Sequence, residues 1–143
     1  MILETVKIRR IQRKDLRKLA RLNAKIFGDK EKQVLTAFSF FLDNGIPGAS
    51  LVAEEKGKPI GAVFGIKLIT FVPNAARIQS LFVSKKWRNR GIGKQLIKRC
   101  VAAMKKRGMK SISLTVDRKN KIANRLYKGL GFKYYRTMLI KEF

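Results

Sequence analysis

The sequence predicts an α+β fold: a single domain over residues 1–143, with a mixed, mostly antiparallel sheet flanked by about four helices. Short segments of β-like patterning alternate with longer amphipathic segments of helical period. Turn sequences typical of hairpins, such as that at 56–58, join the early strands. From 77 to 116, a strand, a helix and a strand follow one another. That order requires a parallel pair joined by a right-handed crossover, so the sheet must be mixed.

The chain begins with one predicted strand and two predicted helices. Apolar residues alternate with charged ones over Thr5–Arg10, which indicates a strand. Asp15 precedes an apolar stripe of helical spacing that Gly28 can close. Asp29 can cap a second amphipathic helix, and the turn-forming stretch Asn44–Gly48 ends it.

Three strands are predicted next. Ser50–Glu54 and Pro59–Phe71 flank the turn Lys56–Lys58, which favours a hairpin between them. Two glycines inside the longer strand predict bends or close backbone contacts. Arg77–Val83 is the strand that enters the crossover.

The second half of the chain continues the alternation of helix and strand. The apolar spacing predicts a helix over Gly91–Arg107, a strand over Ser111–Val116 and a helix over Asn120–Leu130. The last segment, Tyr134–Phe143, is predicted to close the sheet as strand structure.

The charge of the chain is strongly unbalanced. It contains 34 Lys and Arg against nine Asp and Glu, a formal net charge of +25. Such a surface attracts polyanions of any kind without identifying one. Between Glu55 and Asp117 there is no acidic residue. A carboxylate that takes part in chemistry would therefore have to come from outside that span.

The residue types that are rare or absent also exclude some classes of function. One cysteine cannot form an internal disulfide, and the lack of histidine removes the case for a metal site. The longest uncharged runs fall well short of the ~20 residues that span a bilayer. Met1–Arg10 is charged and lacks the apolar block of a signal peptide. A cytoplasmic protein without a membrane segment is therefore expected.

The stretch WRNRGIGKQL, Trp87–Leu96, places two glycines one residue apart where a helix begins. The first turn of a helix leaves about four backbone N–H groups without partners and carries roughly half a positive charge. Glycine at 91 and 93 would let phosphate oxygens reach those N–H groups, and three neighbouring cations add charge. A Walker loop and a dinucleotide fingerprint both need spacings or residues that this stretch lacks. The stretch therefore predicts an anion-binding loop of another kind.

Two blocks of the sequence match one family. Arg88-Asn89-Arg90-Gly91-Ile92-Gly93 resembles the R/Q-x-x-G-x-G/A acetyl-CoA motif of the GNAT N-acetyltransferases, and it follows a strand, as in that family. The block NKIANRLYKGLGF, 120–132, resembles the family's N-x-x-A-x-x-L-Y-x-x-x-G-F helix. The order of predicted elements also fits over essentially the whole chain. In motif style the sequence is nearest to the enzymes that acetylate protein amino termini, of the alanine type.

The resemblance implies an acetyl-CoA-dependent N-acetyltransferase that moves an acetyl group directly to a primary amine. Backbone N–H groups of residues 88–94 would hold the pyrophosphate of coenzyme A, and the strand ending at Val83 would pair with the pantetheine arm where the parallel strands splay apart. Asn120 would hydrogen-bond that arm or order the cleft. Tyr127 would be the catalytic residue and protonate the leaving thiolate, while a backbone N–H near Val83 polarises the carbonyl. The implied cofactor-binding residues are Leu81, Phe82, Val83, Arg88, Asn89, Arg90, Gly91, Ile92, Gly93, Lys94, Asn120 and Tyr127.

The chain departs from the family where a general base is expected. Many relatives place a Glu or His on the fourth or fifth strand, and here those places hold Arg77, Gln79 and Thr115, none of which is a base. A water held by Gln79 or Thr115 would pass the proton instead, and the positive potential would lower the pKa of an amine. The nearest remaining carboxylates along the chain are Glu54, Glu55 and Asp117.

Other interpretations of the same residues stay open in the sequence. The two glycines also suit a tight turn, Tyr127 lies on an apolar helical stripe, and Asn120 suits a helix cap. A second function class is a basic module that binds RNA, DNA or ribosomes with little catalysis. The acceptor amine also stays open: a small molecule, a lysine side chain or a protein amino terminus, with an acidic substrate as one option. A homodimer is a further option.

Overall fold

The computed structural model describes residues 5–143, so the predicted domain of residues 1–143 is seen from Thr5 onward. The strands are β1 Val6–Arg10, β2 Leu51–Glu55, β3 Lys58–Leu68, β4 Ala75–Val83 and β5 Ser111–Ser113. The helices are α1 Leu16–Phe27, α2 Glu31–Asp43, α3 Ile92–Lys106 and α4 Lys121–Gly129, with short 3-10 turns at Arg13–Asp15 and Lys85–Trp87.

The strands form one sheet in the order β1-β2-β3-β4-β5. The first three neighbouring pairs are antiparallel, and β4 pairs with β5 in parallel across the α3 crossover. The predicted mixed, mostly antiparallel sheet with four flanking helices is therefore confirmed.

Helices cover both faces of the sheet. The inner face of α3 packs against one sheet face through Ile92, Leu96, Ile97, Cys100 and Met104, all buried. On the other face, α1 and α2 enclose a second cluster that includes Phe38, Phe64 and Phe82. Burying apolar surface on both faces fixes the strands, and the ends of β4 and β5 are held in place with them.

The two glycines inside β3 are close-contact positions, as predicted. A Cβ on Gly65 would lie 2.6 Å from Met104 Cε and 2.9 Å from Cys100 Sγ, so α3 approaches the sheet more closely than a side chain there would allow. A Cβ on Gly61 would lie 2.8 Å from the Phe82 carbonyl oxygen. Both glycines therefore bring neighbouring elements together beside the strand that enters the crossover.

Two predictions of local structure are wrong. Tyr134–Phe143 forms no strand, because a strand needs a hydrogen-bonding neighbour and no other described residue pairs with this segment. Its large apolar side chains, among them Leu139 and Phe143, are exposed. Asp29 does not cap α2, because the helix begins one residue later than that cap requires, after Lys30.

The helices found within residues 5–143 are too short or too polar to cross a lipid bilayer.

Candidate active site

The parallel strands β4 and β5 separate soon after they meet. They pair only at Ala75–Ser111, Ala76–Ile112 and Arg77–Ser113. β4 then continues to Val83, paired on its other side with β3, while the chain after Ser113 leaves the sheet. A gap therefore opens between the two strands at their carboxyl ends, beside the start of α3. This is the splayed pair that the sequence predicts, and it is where open sheets of this type bind ligands.

The main chain of β4 faces this gap at alternate residues. The N–H of Ser84 donates to the Ile60 carbonyl at 2.7 Å, so Ser84 faces β3. Because peptide groups alternate in direction along a strand, Val83 and Leu81 direct their N–H and C=O groups towards the gap. Phe82 faces the other way: its carbonyl lies against Gly61, and its ring stacks on Phe38 with centroids 5.9 Å apart. The structure thus brings Leu81 and Val83 to the gap and places Phe82 in the core.

The loop between β4 and α3 presents a row of backbone amides. Gly91 precedes the first residue of α3 and has φ +79°, a left-handed conformation that favours glycine. Asn89 also has a positive φ, +63°. The backbone N–H groups of residues 89–94 have no hydrogen-bond partner within the described part of the chain, and no side chain caps α3. Successive free amides at a helix start form an anion-binding cradle.

This row of amides is open to solvent. Arg88, Asn89 and Arg90 are exposed, and Gly91 and Gly93 are partly so. Ile92 is the anchor: the residue is only 1% exposed, and its side chain packs in the core. A Cβ on Gly93 would make an ordinary contact, 3.7 Å from Val83 Cγ2. Packing inside the protein therefore does not require glycine at 93.

Three cations surround the cradle, and two of them are held in place. Arg88 donates from Nε to the carbonyl oxygen of Val83 at 3.0 Å, which ties the loop to the end of β4. The Arg90 guanidinium carbon lies 4.9 Å from the centroid of the Trp87 ring, a cation–π contact. Lys94 is exposed on the first turn of α3. Sequence patterns assigned no role to Trp87, although its position three residues before Arg90 indicates that the two side chains can meet.

Asn120 and Tyr127 sit on α4 with different surroundings. Asn120 caps the helix: its Oδ1 accepts from the Ala123 N–H at 3.1 Å. Its side-chain amide N–H groups make no hydrogen bond to other described residues. Tyr127 packs on the α3 side of the sheet, edge-on to Phe132 at 6.0 Å. Burial raises the pKa of Tyr127, so its phenol stays protonated at neutral pH.

Where a base would be expected, the structure shows a cation. Arg77 donates from Nε to Gln79 Oε1 at 3.1 Å and from Nη2 to Thr115 Oγ1, which spans the gap between β4 and the chain after β5. Sequence reasoning named all three residues, but it did not connect them. The positive charge of Arg77 disfavours a protonated amine beside it.

The nearest carboxylates are engaged elsewhere. Glu54 accepts from Arg9 at 3.0 Å and lies on β2, two strands from β4. Asp117 Oδ1 accepts the backbone N–H of Lys119 at 2.9 Å. Glu55 lies at the end of β2, where its backbone is in register with Lys58 at the β2–β3 hairpin, two strands from β4.

The cradle fits the diphosphate of coenzyme A. Its amides are unpaired and open, the surrounding side chains are cationic, and β3, β4, α3 and β5 contribute no acidic side chain. The gap beside it exposes the main-chain groups of Leu81 and the N–H of Val83, whose carbonyl already accepts from Arg88, and an amide-bearing arm can pair with them. Arg88 to Lys94, Leu81 and Val83 would hold the molecule.

Comparison with known proteins identifies related acetyltransferases. A family model described as the acetyltransferase (GNAT) family matches residues 9–132. Over 85 residues, 57% of this chain, the sequence is 39% identical to an uncharacterized N-acetyltransferase of Methanocaldococcus jannaschii, and over 89 residues, 60% of this chain, it is 35% identical to the N-alpha-acetyltransferase MAK3 of Arabidopsis thaliana. These matches cover 38% and 45% of the two relatives, so the chain matches less than half of their length.

Among solved structures, the fold is similar to Ard1 from Thermoplasma volcanium, with a TM-score of 0.79 and 24% identity over 92% of this chain and 85% of that one. At that identity the likeness concerns the fold alone. The acetyltransferases of the matched family use acetyl-CoA as acyl donor. With the family model covering most of the residues, and with the splayed strands and amide cradle in place, the chain belongs to the GNAT acetyltransferase family.

Proposed function

We propose that this protein is an acetyl-CoA-dependent N-acetyltransferase that moves an acetyl group directly to a primary amine. The observation that carries the proposal is the row of unpartnered amides at residues 89–94, directly beside the gap between β4 and β5. Family membership supports the same chemistry. Acetyl-CoA supplies the acetyl group as a thioester.

The loop binds the diphosphate of acetyl-CoA, and β4 orients its pantetheine arm. The amides of residues 89–94 hold the diphosphate, with Arg90 and Lys94 adding positive charge. The main-chain groups of Leu81 and Val83 align the arm along β4, with the N–H of one of them near the carbonyl that develops negative charge. Asn120 contributes through its amide N–H groups, because its carbonyl oxygen is already used as the cap.

Tyr127 is the proposed acid. As the amine forms the new C–N bond, the C–S bond breaks, and the sulfur leaves as a thiolate that takes the Tyr127 proton; the nitrogen, positively charged after the attack, gives up a proton that restores the phenol. Burial raises the pKa of the Tyr127 phenol, so the proton is present at neutral pH. General-acid help of this kind contributes typically 10²–10⁴-fold.

The amine loses its proton without a carboxylate in this account. Arg77 lowers the pKa of an amine in the gap, because two positive charges repel. The Thr115 hydroxyl accepts from Arg77 and keeps its own hydrogen and one lone pair, so it can hold a water that carries the proton away. Arg77 thus lowers the pKa of the amine, and Thr115 holds the water that takes its proton. Together the two residues take the place of a general base.

A protein amino terminus is the acceptor that we place first. The name of one similar protein, an N-alpha-acetyltransferase, supports that order. A lysine side chain and a small amine are the other two acceptor classes. The net charge of +25 and the partly exposed Arg77 favour an acceptor that carries acidic groups near its amine.

Ligand-induced stabilisation tests the proposal. Acetyl-CoA at 100 times its Kd stabilises a fold by about 2.7 kcal/mol, which raises the melting temperature by several degrees in a domain of this size. A panel of peptides with free amino termini, N-blocked peptides with one lysine, and small amines is then screened for release of the coenzyme A thiol. We expect stabilisation, and release with an acceptor of at least one class. Stabilisation by oligonucleotides alone, with none by acetyl-CoA, would contradict the proposal.

A further inference from the structure

A second concave surface lies on the outer side of α4. It is an open cleft of about 590 Å³ between α4 and the chain that follows it. Four cations line it, together with one amide and one aromatic side chain: Arg118, Lys121, Arg125, Lys128, Asn124 and Tyr134. No acidic side chain lines it among the described residues. We call this surface the α4 cleft.

The floor of the α4 cleft is fixed by buried hydrogen bonds. Asn124 is only 9% exposed, and its Nδ2 donates to the carbonyls of Asp117 at 2.9 Å and Asn120 at 2.7 Å. The Tyr134 hydroxyl donates to Asn124 Oδ1 at 2.7 Å. A buried amide with all these partners holds one orientation, so the Tyr134 ring is held in place.

Two of the cations are gathered around that ring. The Lys128 ammonium lies 4.6 Å from the Tyr134 ring centroid, and the Arg118 guanidinium carbon lies 5.6 Å from it. Lys121, Arg125 and Lys128 follow one another at helical spacing, so they form a row about 10 Å long on one face of α4. The cleft therefore combines an aromatic platform with a line of positive charge.

A comparison with a second basic cleft, on another part of the described surface, shows how this one differs. That cleft, of about 180 Å³, is lined by Arg9, Lys14 and Lys18, but also by Asp15 and Glu54. Arg9 makes ion pairs with both carboxylates, at 2.8 and 3.0 Å.

In the α4 cleft, by contrast, none of the four cations forms an ion pair with any residue from 5 to 143. Asp117, whose main chain adjoins the floor, has its carboxylate oxygen Oδ1 bonded to the Lys119 amide. Uncompensated charge in a concave surface concentrates the field, so the α4 cleft attracts anions more strongly than the cleft around Arg9, where carboxylates neutralise part of the charge.

We propose that the α4 cleft binds the phosphodiester backbone of a single-stranded nucleic acid, without reading its sequence. The four cations contact phosphates, and Tyr134 lies along the bases. A positively charged groove with an aromatic side chain is the pattern by which proteins hold single strands, since every base has a face that stacks. This goes beyond the proposed acetyl transfer and stands apart from it, because Tyr127 faces the core from the same helix.

Fluorescence anisotropy with labelled oligonucleotides tests the proposal. The probes are ~12-nucleotide oligouridylate and oligothymidylate, titrated over a range of KCl concentrations. We expect both to bind, since RNA and DNA share the phosphodiester. The variant Lys121→Gln/Arg125→Gln/Lys128→Gln should lower the slope of log K against log salt by about 2, at roughly 0.7 per lost phosphate contact.

The matched control removes the same charge from another face. Arg17→Gln/Lys18→Gln/Lys25→Gln takes three exposed cations from α1 and should leave the slope nearly unchanged. Equal losses in both triple variants would overturn the proposal, because attraction would then come from the overall charge. If the α4 triple variant does not fold, Arg125→Gln alone should lower the slope by about 0.7, and no change would overturn the proposal.

Competition by acetyl-CoA and by polyglutamate tests whether the α4 cleft binds a ligand other than nucleic acid. Saturating acetyl-CoA should leave oligonucleotide binding intact, and the α4 triple variant should keep its stabilisation by acetyl-CoA. Displacement of the oligonucleotide by acetyl-CoA would overturn the proposal by making the cleft part of the cofactor site. Equal competition by polyglutamate would overturn it in favour of an acidic peptide. Neither result removes the amide cradle, so the two proposals fail separately.

Discussion

Arg77 of β4 hydrogen-bonds Thr115 across the opening between β4 and β5. The two residues are 38 positions apart in the chain and meet because the parallel strands separate just beyond their last pair, Arg77–Ser113. A cation thus spans the place where an amine is expected to lose its proton. We therefore expect the positive potential of Arg77, rather than a carboxylate, to favour the neutral amine at that place.

Replacing Arg77 should move the pH profile of the reaction. Without the positive charge, the pKa of a bound amine rises, so the rising limb of kcat/KM in Arg77→Gln should shift to higher pH by roughly half a unit. That figure assumes about 0.7 kcal/mol between charges ~8 Å apart in a largely solvated site. The measurement is kcat/KM against pH for both proteins with one peptide acceptor. A parallel loss at every pH would show that Arg77 serves only structure.

Replacing Gly93 should weaken acetyl-CoA binding without affecting folding. A glutamate there lies in the first turn of α3, where its charge favours the helix, and the Cβ meets no close contact. The melting temperature of Gly93→Glu should therefore stay within a few degrees of wild type, while the acetyl-CoA Kd rises more than about tenfold, because the carboxylate repels the diphosphate. Lys98→Gln, the same change of charge later in the exposed part of α3, is the control and should bind normally. Normal binding by Gly93→Glu would count against the cradle.

Tyr127→Phe should slow turnover without loosening acetyl-CoA. Since burial raises the pKa of Tyr127, the wild-type kcat should fall only at strongly alkaline pH, as the phenol ionises. The variant should lose roughly 10²-fold in kcat and also lose that alkaline fall. Thermal stabilisation by acetyl-CoA should be retained. An unchanged kcat would leave Tyr127 as a packing residue against Phe132.

The ion-pair cluster of Arg9, Asp15 and Glu54 should make stability pH-dependent. The hydrogen bond from Arg9 holds the pKa of Asp15 below 3.8, with a smaller effect from the Gln12 amide. A carboxylate whose folded pKa is lowered adds stability above its unfolded pKa and loses it as pH falls through the folded value. Asp15→Asn should therefore cost about 1–3 kcal/mol of unfolding free energy near pH 7, and the gap should close below about pH 4. A gap that persists in acid would contradict this account.

Sequence patterns predicted the element order and the loop, because these are local. The positions of Gly91 and Gly93 and the crossover from 77 to 116 follow from short-range spacing. The direction of Phe82 was not predictable, because it depends on the register with β3 and on an irregularity between Phe64 and Gly65. The prediction of a closing strand at Tyr134–Phe143 was wrong for a related reason: whether a segment finds a partner strand depends on residues distant in the sequence.

The central claim is that the backbone amides of residues 89–94 hold a diphosphate. Amide chemical-shift mapping by NMR on the 16.4 kDa protein tests it most directly. On addition of coenzyme A, the account predicts the largest amide shifts at Gly91, Ile92 and Gly93, with Leu19 in α1 unmoved. Shifts confined to the α4 cleft, with the loop amides unchanged, would contradict it.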